Sequence, residues 1–111
     1  MITETLLVLS LAGRIYHTVP IEKMATTRRT HVCVTAPIVY RRKQQDGDWH
    51  LTIAKIVNGV EYKVVVEIIP LIPITPPRVG QIVKACGITR LDREHGNWPE
   101  IHPAESIEVQ S

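Results

Sequence analysis

Apolar and polar residues alternate most regularly on either side of the dipeptide Asn58-Gly59. Asn-Gly between two such runs predicts a β-hairpin with a two-residue turn, because both residues tolerate a positive φ. The length of the turn fixes the register, so Val57 faces Val60 across the two strands. The pattern therefore predicts a central hairpin that turns one face toward the core. The pairs that follow on this mostly apolar face are Lys55–Tyr62, Ile53–Val64 and Leu51–Val66.

The other face of the hairpin is predicted to lie mostly in solvent. It carries His50, Thr52, Ala54 and Ile56 on one strand and Glu61, Lys63, Val65 and Glu67 on the other. The register places His50 directly across from Glu67, as a cross-strand pair worth a few tenths to about 1 kcal/mol.

Three further strands are predicted around this hairpin. Residues 30–42 alternate in polarity and contain Pro37, which predicts a bulge or a sharp bend. Residues 70–77 hold four prolines, which exclude a helix and predict an extended connection. Residues 79–91 contain Gly87 inside a strand, where glycine indicates a bend or close packing. Residues 100–109 form the last strand, with an early break at Pro103.

This order of elements predicts an all-β fold, a small five-stranded OB-like barrel with an additional N-terminal strand. A length of 111 residues favours one domain. We assign residues 1–29 to an N-terminal extension and residues 30–111 to the barrel. The apolar stretch TLLVLSLAGRIY is interpreted as a strand rather than a signal peptide, because it lacks a basic flank and a cleavage site. Residues 21–30 are predicted to form a loop or one helical turn.

Two parts of the sequence resemble a known group of proteins. The segments RRKQQDGDWHLTI and VGQIVKACGITRLDREHGNWPEIHP are similar to an uncharacterised prokaryotic OB-fold-like family with D-G-D-x-H and E-I-H-P motifs. The resemblance covers about residues 32–107. It implies the OB fold and no particular activity.

Two loops flank the ligand face of an OB barrel, and here they span residues 41–48 and 92–99. The predicted fold would bring histidines and carboxylates from these loops and the nearby strands together. A hydrogen-bonded latch between the loops explains this group without a ligand. A divalent metal site is the alternative, although no defining spacing such as H-E-x-x-H occurs. The predicted group consists of Asp46, Asp48, His50, Glu67, His95, Glu100 and His102.

Nucleic-acid binding is the function that the predicted fold suggests, and it has to be judged on the residues. A net charge of +2 is too small to indicate it alone. The basic run at 41–43 and the loop tryptophans still favour a non-catalytic module that binds single strands through loops 41–48 and 92–99. The candidate binding residues are Arg41, Arg42, Lys43, Trp49, Lys63, Arg93 and Trp98. The alternatives are a protein-interaction module that associates into homodimers, and a metal-binding protein.

Other classes of function find little support in the sequence. No nucleophile, phosphate-loop or dinucleotide motif occurs, so an enzyme with a catalytic residue or an organic cofactor is not predicted. Cys33 and Cys86 lack metal-type spacing and are interpreted as two buried thiols in a reducing cytoplasm. No apolar run reaches the roughly 18 residues of a membrane span, so no membrane partner is expected.

Overall fold

The computed structural model describes residues 9–10 and 14–110. These residues form eight strands and two short 3-10 helices. In chain order the elements are β1 (Leu9–Ser10), β2 (Arg14–Ile15), β3 (His17–Thr18), η1 (Ile21–Thr26), β4 (His31–Lys43), β5 (Trp49–Val57), β6 (Val60–Ile68), β7 (Ile82–Asp92), η2 (Arg93–His95) and β8 (Trp98–Val109).

Five strands close into a barrel. Strands β4, β5 and β6 form an antiparallel meander, β6 pairs in parallel with β8, and β8 and β4 each pair antiparallel with β7. This is the strand order of an OB fold, and it confirms the predicted all-β barrel. The interior is filled by aliphatic side chains from all five strands, such as Val34, Leu51, Val66, Val83 and Ile101.

The thirteen-residue strand β4 changes partner near its middle. Residues 31–37 pair with β7, and residues 38–43 pair with β5. Pro37 lies at this change of partner, as the predicted bend requires. The register shift itself falls between Ile38 and Tyr40, two residues beyond the position that the proline suggested. The bend lets one strand belong to both sides of the barrel.

The register of the central hairpin is confirmed along its whole length. Val57 pairs with Val60 at the turn and His50 pairs with Glu67 at the far end. The prediction that the second face lies mostly in solvent is wrong at Glu67, which is only 6% exposed. The reason is a third strand: His102 of β8 reaches the Glu67 carboxylate from the side opposite His50.

The fold has the additional N-terminal strand as β3, which pairs in parallel with β4 at the edge of the sheet, although it lies just after the stretch TLLVLSLAGRIY in which the strand was predicted. The two short strands β1 and β2 pair with each other. Residues 5–8 and 11–13 of the predicted strand lie outside the described residues. The helical turn expected within 21–30 is η1, which buries Ile21 and Met24 against the barrel.

Cys33 and Cys86 form a disulfide, so the interpretation as two free thiols is wrong, although both side chains are buried as expected. The ladder between β4 and β7 places the two residues directly opposite each other, with their Cα atoms 4.1 Å apart. Sequence spacing could not reveal this, because the pairing depends on how the barrel closes. The cytoplasmic location that accompanied the thiol interpretation stays a prediction.

The proline-rich segment 69–81 contains neither helix nor strand. Arg41 ties it to the barrel, because one guanidinium nitrogen donates hydrogen bonds to the carbonyl oxygens of Pro76 and Pro77, at 3.0 and 3.1 Å. Proline cannot donate a backbone hydrogen bond, and its carbonyl groups accept from the arginine instead. Within the described ranges, no helix is long and apolar enough to cross a membrane.

We expect Gly87→Ala to destabilise the barrel by about 1–3 kcal/mol or more, as overpacking does. A Cβ at Gly87 would overlap the carbonyl oxygen of Pro103 and lie 2.6 Å from the Ile101 side chain. Urea unfolding measures the effect. Lys84→Ala, on the same strand without this contact, should cost well under 1 kcal/mol. An unchanged midpoint for Gly87→Ala would mean that β7 and β8 are less tightly packed.

We expect reduction of the Cys33–Cys86 bridge to lower the free energy of unfolding by about 2–4 kcal/mol, because the bridge closes a long loop in the unfolded chain. Urea unfolding with and without dithiothreitol measures the difference. The double variant Cys33→Ala/Cys86→Ala should not respond to the reductant. Alkylation of two thiols in the unfolded, unreduced protein would contradict the bridge.

Candidate functional site

An open cleft of about 610 Å³ lies where the 41–48 and 92–99 loops meet the barrel. Six of the seven residues of the predicted histidine and carboxylate group line it. They are Asp46, Asp48, His50, Glu67, Glu100 and His102. Strand β7 and helix η2 add Arg90, Leu91, Asp92, Arg93 and Glu94. Sequence reasoning missed Arg90 and Asp92. The only signal for them was their place in the strand next to β8.

Glu67 lies at the centre of the cleft floor. Its Oε1 atom lies 3.1 Å from Nε2 of His50 and 3.6 Å from Nδ1 of His102. The three residues come from β5, β6 and β8, which are neighbours in the sheet. The pairing of His50 with Glu67 is therefore as the hairpin register predicted. His102 lies next to the same carboxylate on the neighbouring strand.

Arg90 contacts the histidine on β8. Its guanidinium donates to Nδ1 of His102 at 2.8 Å. That nitrogen must carry an unshared electron pair to accept this hydrogen bond, so the proton of a neutral ring is on Nε2. The cleft thus contains one imidazole nitrogen whose electron pair points toward a positively charged group.

Glu100 is the second buried carboxylate of the cleft and is 7% exposed. Burial raises the pKa of Glu100 to about 7, and the negative charge of Glu67 and contact with the Asp92 carboxylate act in the same direction. Alternation along β8 places Glu100 and His102 on the same face. The cleft floor therefore contains carboxylates that are difficult to ionise together.

The first loop is held by its own backbone. Oδ1 of Asp46 accepts a hydrogen bond from the amide of Asp48 at 3.0 Å, as expected for Asp-Gly in a turn. Gly47 adopts a φ of 94°, which an L-residue rarely does. The amide of Gln44 donates to the carbonyl of Asp48 at 2.7 Å and closes the loop. This geometry fixes Asp48 at the mouth of the cleft.

His95 was predicted to belong to the same group and does not line the cleft. Its Nδ1 atom lies 2.7 Å from Oδ2 of Asp92, three residues earlier, within the turn that η2 makes. This hydrogen bond raises the pKa of His95 and lowers the pKa of Asp92. A local partner was therefore available to His95, and the prediction did not consider it.

Among the described residues, two sets of side chains bring potential ligand atoms close enough together that they could hold a metal ion. In each set the potential ligand atoms all lie within 4.8 Å of one another. One set is Asp48, His50 and Glu67, and the other is Glu67, Glu100 and His102. Glu67 belongs to both.

Two candidate nucleic-acid-binding residues have structural contacts instead. Arg41 lies over the ring of Trp49, 5.1 Å from its centroid, and also holds the proline segment. Trp49 packs against the core. A tryptophan partly covered by an arginine offers less surface for a base, and the predicted binding role of these two residues stays a prediction.

The other candidates remain accessible. Arg42 and Lys43 are exposed at the end of β4, where the first loop was predicted, and Arg93 is exposed in η2. Lys63 is exposed on β6, with its Nζ 3.7 Å from Glu61. Trp98 is 51% exposed.

Trp98 forms part of a second depression that the sequence did not predict. This groove has a volume of about 250 Å³ and is bordered by Ile21, Ala25, Tyr62, Lys63, Trp98 and Pro99, with Glu22 and Glu61 at its edge. Tyr62 was placed on the core face of the hairpin and is in fact half-buried, with one side in the groove. Helix η1 forms the opposite wall, and its position could not be derived from the weak pattern of residues 21–30.

Comparison with known proteins supports the fold only. No family model matches the chain, and no curated protein matches it. Among solved structures, the small single-stranded DNA-binding protein from Streptomyces coelicolor superposes with a TM-score of 0.51. The match covers 77% of this chain and 95% of that chain, at 14% sequence identity. At that identity the likeness shows a shared OB fold and nothing finer. Membership of the family with the D-G-D-x-H and E-I-H-P motifs stays a prediction.

We expect Glu100→Gln to change how stability depends on pH, measured by urea unfolding in EDTA. The ordinary pKa of 4.5 applies to the unfolded chain and a pKa of about 7 to the folded one. The folded protein therefore keeps the Glu100 proton to higher pH. Wild-type stability should fall as pH rises from 4.5 through 7 and stay low above it.

The Gln variant lacks this ionisation, and its amide can donate where the protonated acid would. It should therefore be more stable than wild type at pH 8 by roughly 1–3 kcal/mol, and its profile should be flatter. Glu108→Gln, on the exposed end of the same strand, serves as the control and should leave the profile unchanged. A wild-type profile that rises between pH 5 and 8 would contradict the burial argument.

Proposed function

We propose that this protein is a non-catalytic OB-fold module that binds single-stranded nucleic acid along the rim formed by the 41–48 and 92–99 loops. The observation that carries the proposal is Trp98, an exposed aromatic side chain at the edge of the second loop with cationic neighbours. A solved structure with a similar fold is a single-stranded DNA-binding protein, and this supports the same class of ligand.

Aromatic stacking is the first contact that we infer. Trp98 is half exposed and borders a groove that also exposes Tyr62. Every base has a flat π-face, so stacking on such residues binds single strands with little sequence preference. Ile21 and Ala25 provide an apolar wall for a base that enters the groove.

Charge is the second contact. Lys63 lies in the same groove as Trp98, and Arg93 is exposed in the adjacent loop. Arg42 and Lys43 extend the positive charge along the first loop. Phosphates contacted by these side chains would release counterions, which makes binding depend on salt.

The cleft between the two loops limits the path of the strand. It is lined by six carboxylates and two arginines, so it repels phosphates. The strand is therefore expected to follow the rim and to avoid the floor. The small net charge of +2 also implies weak binding that requires low salt.

We expect Trp98→Ala to weaken binding of a fluorescein-labelled oligothymidine of about 15 nucleotides by roughly tenfold, since one stacked base is worth about 1–3 kcal/mol. Fluorescence anisotropy at about 50 mM NaCl in EDTA measures the dissociation constant, and raising the salt to about 200 mM should weaken binding. Arg93→Ala should remove about one phosphate contact. The slope of log affinity against log salt concentration should therefore become less steep by about 0.7.

The matched control is Val109→Ala, at the opposite end of the same strand, where the valine is 47% exposed. It should bind like wild type. Absence of binding at low salt would reject the proposal. Equal affinity of Trp98→Ala and wild type for the oligonucleotide would show that it does not bind at the rim.

A further inference from the structure

We propose that Glu67, Glu100 and His102, together with His50, bind a divalent transition-metal ion such as Zn²⁺ at the floor of the cleft. This site is separate from the rim to which the proposed nucleic-acid binding is assigned.

The first argument is the convergence of ligand atoms. The potential ligand atoms of Glu67, Glu100 and His102 lie within 4.8 Å of one another. Zinc binds nitrogen and oxygen ligands at about 2.0–2.2 Å, so small side-chain rotations would bring these atoms around one ion. His50 lies 3.1 Å from Glu67 but belongs to the other set, with Asp48, so it would need a larger rotation than these three side chains to become a fourth ligand.

The second argument is the rigidity of the backbone beneath these side chains. His50 and Glu67 are a register pair between β5 and β6. The parallel ladder between β6 and β8 pairs Val65 with Glu100, and so sets Glu67 beside His102. Ligands on paired strands lose little freedom when an ion binds, unlike carboxylates on exposed loops.

The third argument is the absence, among the described residues, of a cationic ion-pair partner for two buried carboxylates, although Arg90 and Arg93 line the same cleft. Glu67 and Glu100 are 6% and 7% exposed, and no lysine or arginine in the described part of the chain forms an ion pair with either carboxylate. Two buried carboxylates close together repel each other unless a proton or a cation lies between them. A divalent ion would neutralise both charges at once.

The fourth argument comes from the imidazole of His102. Its Nδ1 electron pair accepts a hydrogen bond from Arg90, which is exposed and can swing away. A metal ion requires the same electron pair. Imidazole together with carboxylate favours zinc, cobalt, nickel or manganese over calcium and magnesium, which prefer oxygen ligands alone.

Three or four protein ligands at the floor of an open cleft would leave the remaining coordination positions to water. Asp48 lies within reach of His50 and Glu67 and can accept a hydrogen bond from such a water. The site is therefore predicted to bind one ion that remains accessible from solvent.

The test uses the full chain, stripped with EDTA and desalted, and titrated with ZnCl₂ and CoCl₂ by isothermal titration calorimetry. We expect about one equivalent to bind, and saturation with Zn²⁺ to raise the melting temperature by on the order of 10 °C. Bound Co²⁺ should show d–d absorption bands whose shape reports on the ligands. MgCl₂ should give a much smaller change.

Glu67→Gln should weaken Zn²⁺ and Co²⁺ binding by about 100-fold, because Glu67 is shared by both ligand sets and Gln offers no charge. His102→Ala should weaken binding at least tenfold and change the Co²⁺ spectrum. The matched control is His17→Ala, which removes an exposed histidine of β3 that does not line the cleft and should bind like wild type. Circular dichroism in EDTA verifies that each variant is folded.

Several results would overturn the proposal. They are the absence of binding by either ion at millimolar concentration, equal affinity of Glu67→Gln and wild type, and a loss of binding in His17→Ala as large as in His102→Ala. The oligonucleotide assay is performed in EDTA, so its outcome is independent of this one. Each of the two proposals can therefore fail alone.

Discussion

The structure depends on the ability of one strand to pair on both sides. The first half of β4 pairs with β7 and its second half pairs with β5. The bend between the two halves closes the barrel. Without that change of partner the sheet would have two open edges, which are prone to aggregation. Closure also brings the end of β7 to the side of the barrel on which β5 begins. The two loops that border the cleft meet for this reason, although 43 residues, 49–91, lie between them in the sequence.

The cleft shows a conflict between stability and charge. A barrel floor made of aliphatic residues would be more stable than one that buries Glu67 and Glu100 side by side. The surrounding side chains only partly offset this cost. His50 offers a polar contact to Glu67, and Arg90 is directed at His102 rather than at a carboxylate. Residues that lower stability in this way commonly serve a purpose other than folding, which is why the cleft attracts a functional interpretation.

Local signals in the sequence predicted more of this molecule than long-range ones. Asn58-Gly59 was enough to define the hairpin register, because two-residue turns leave no freedom. Gly87 indicated close packing, and the structure places the Pro103 carbonyl group against it. Three features could not be predicted in this way: the disulfide, the burial of Glu67 and the contact of Arg41 with the Trp49 ring. Each depends on which strand or segment packs next to the residue in the fold. A single sequence shows which residues are available for such contacts. It does not show which of them pair with one another. His95 was misassigned for the opposite reason, since its partner Asp92 was only three residues away.

The disulfide decides where the barrel can open. It fixes β4 to β7, so this seam cannot separate while the bridge is intact. The parallel seam between β6 and β8 has a short ladder, in which Val65 pairs with Glu100 and Val66 with Ile101. Opening fluctuations should therefore be concentrated there, and amide hydrogens of β8 near Glu100 should exchange sooner than those of β7 near Cys86. Glu67 lies on one side of this weaker seam and Glu100 on the other. An ion or molecule bound between the two carboxylates would therefore hold β6 to β8 and reduce opening at this seam.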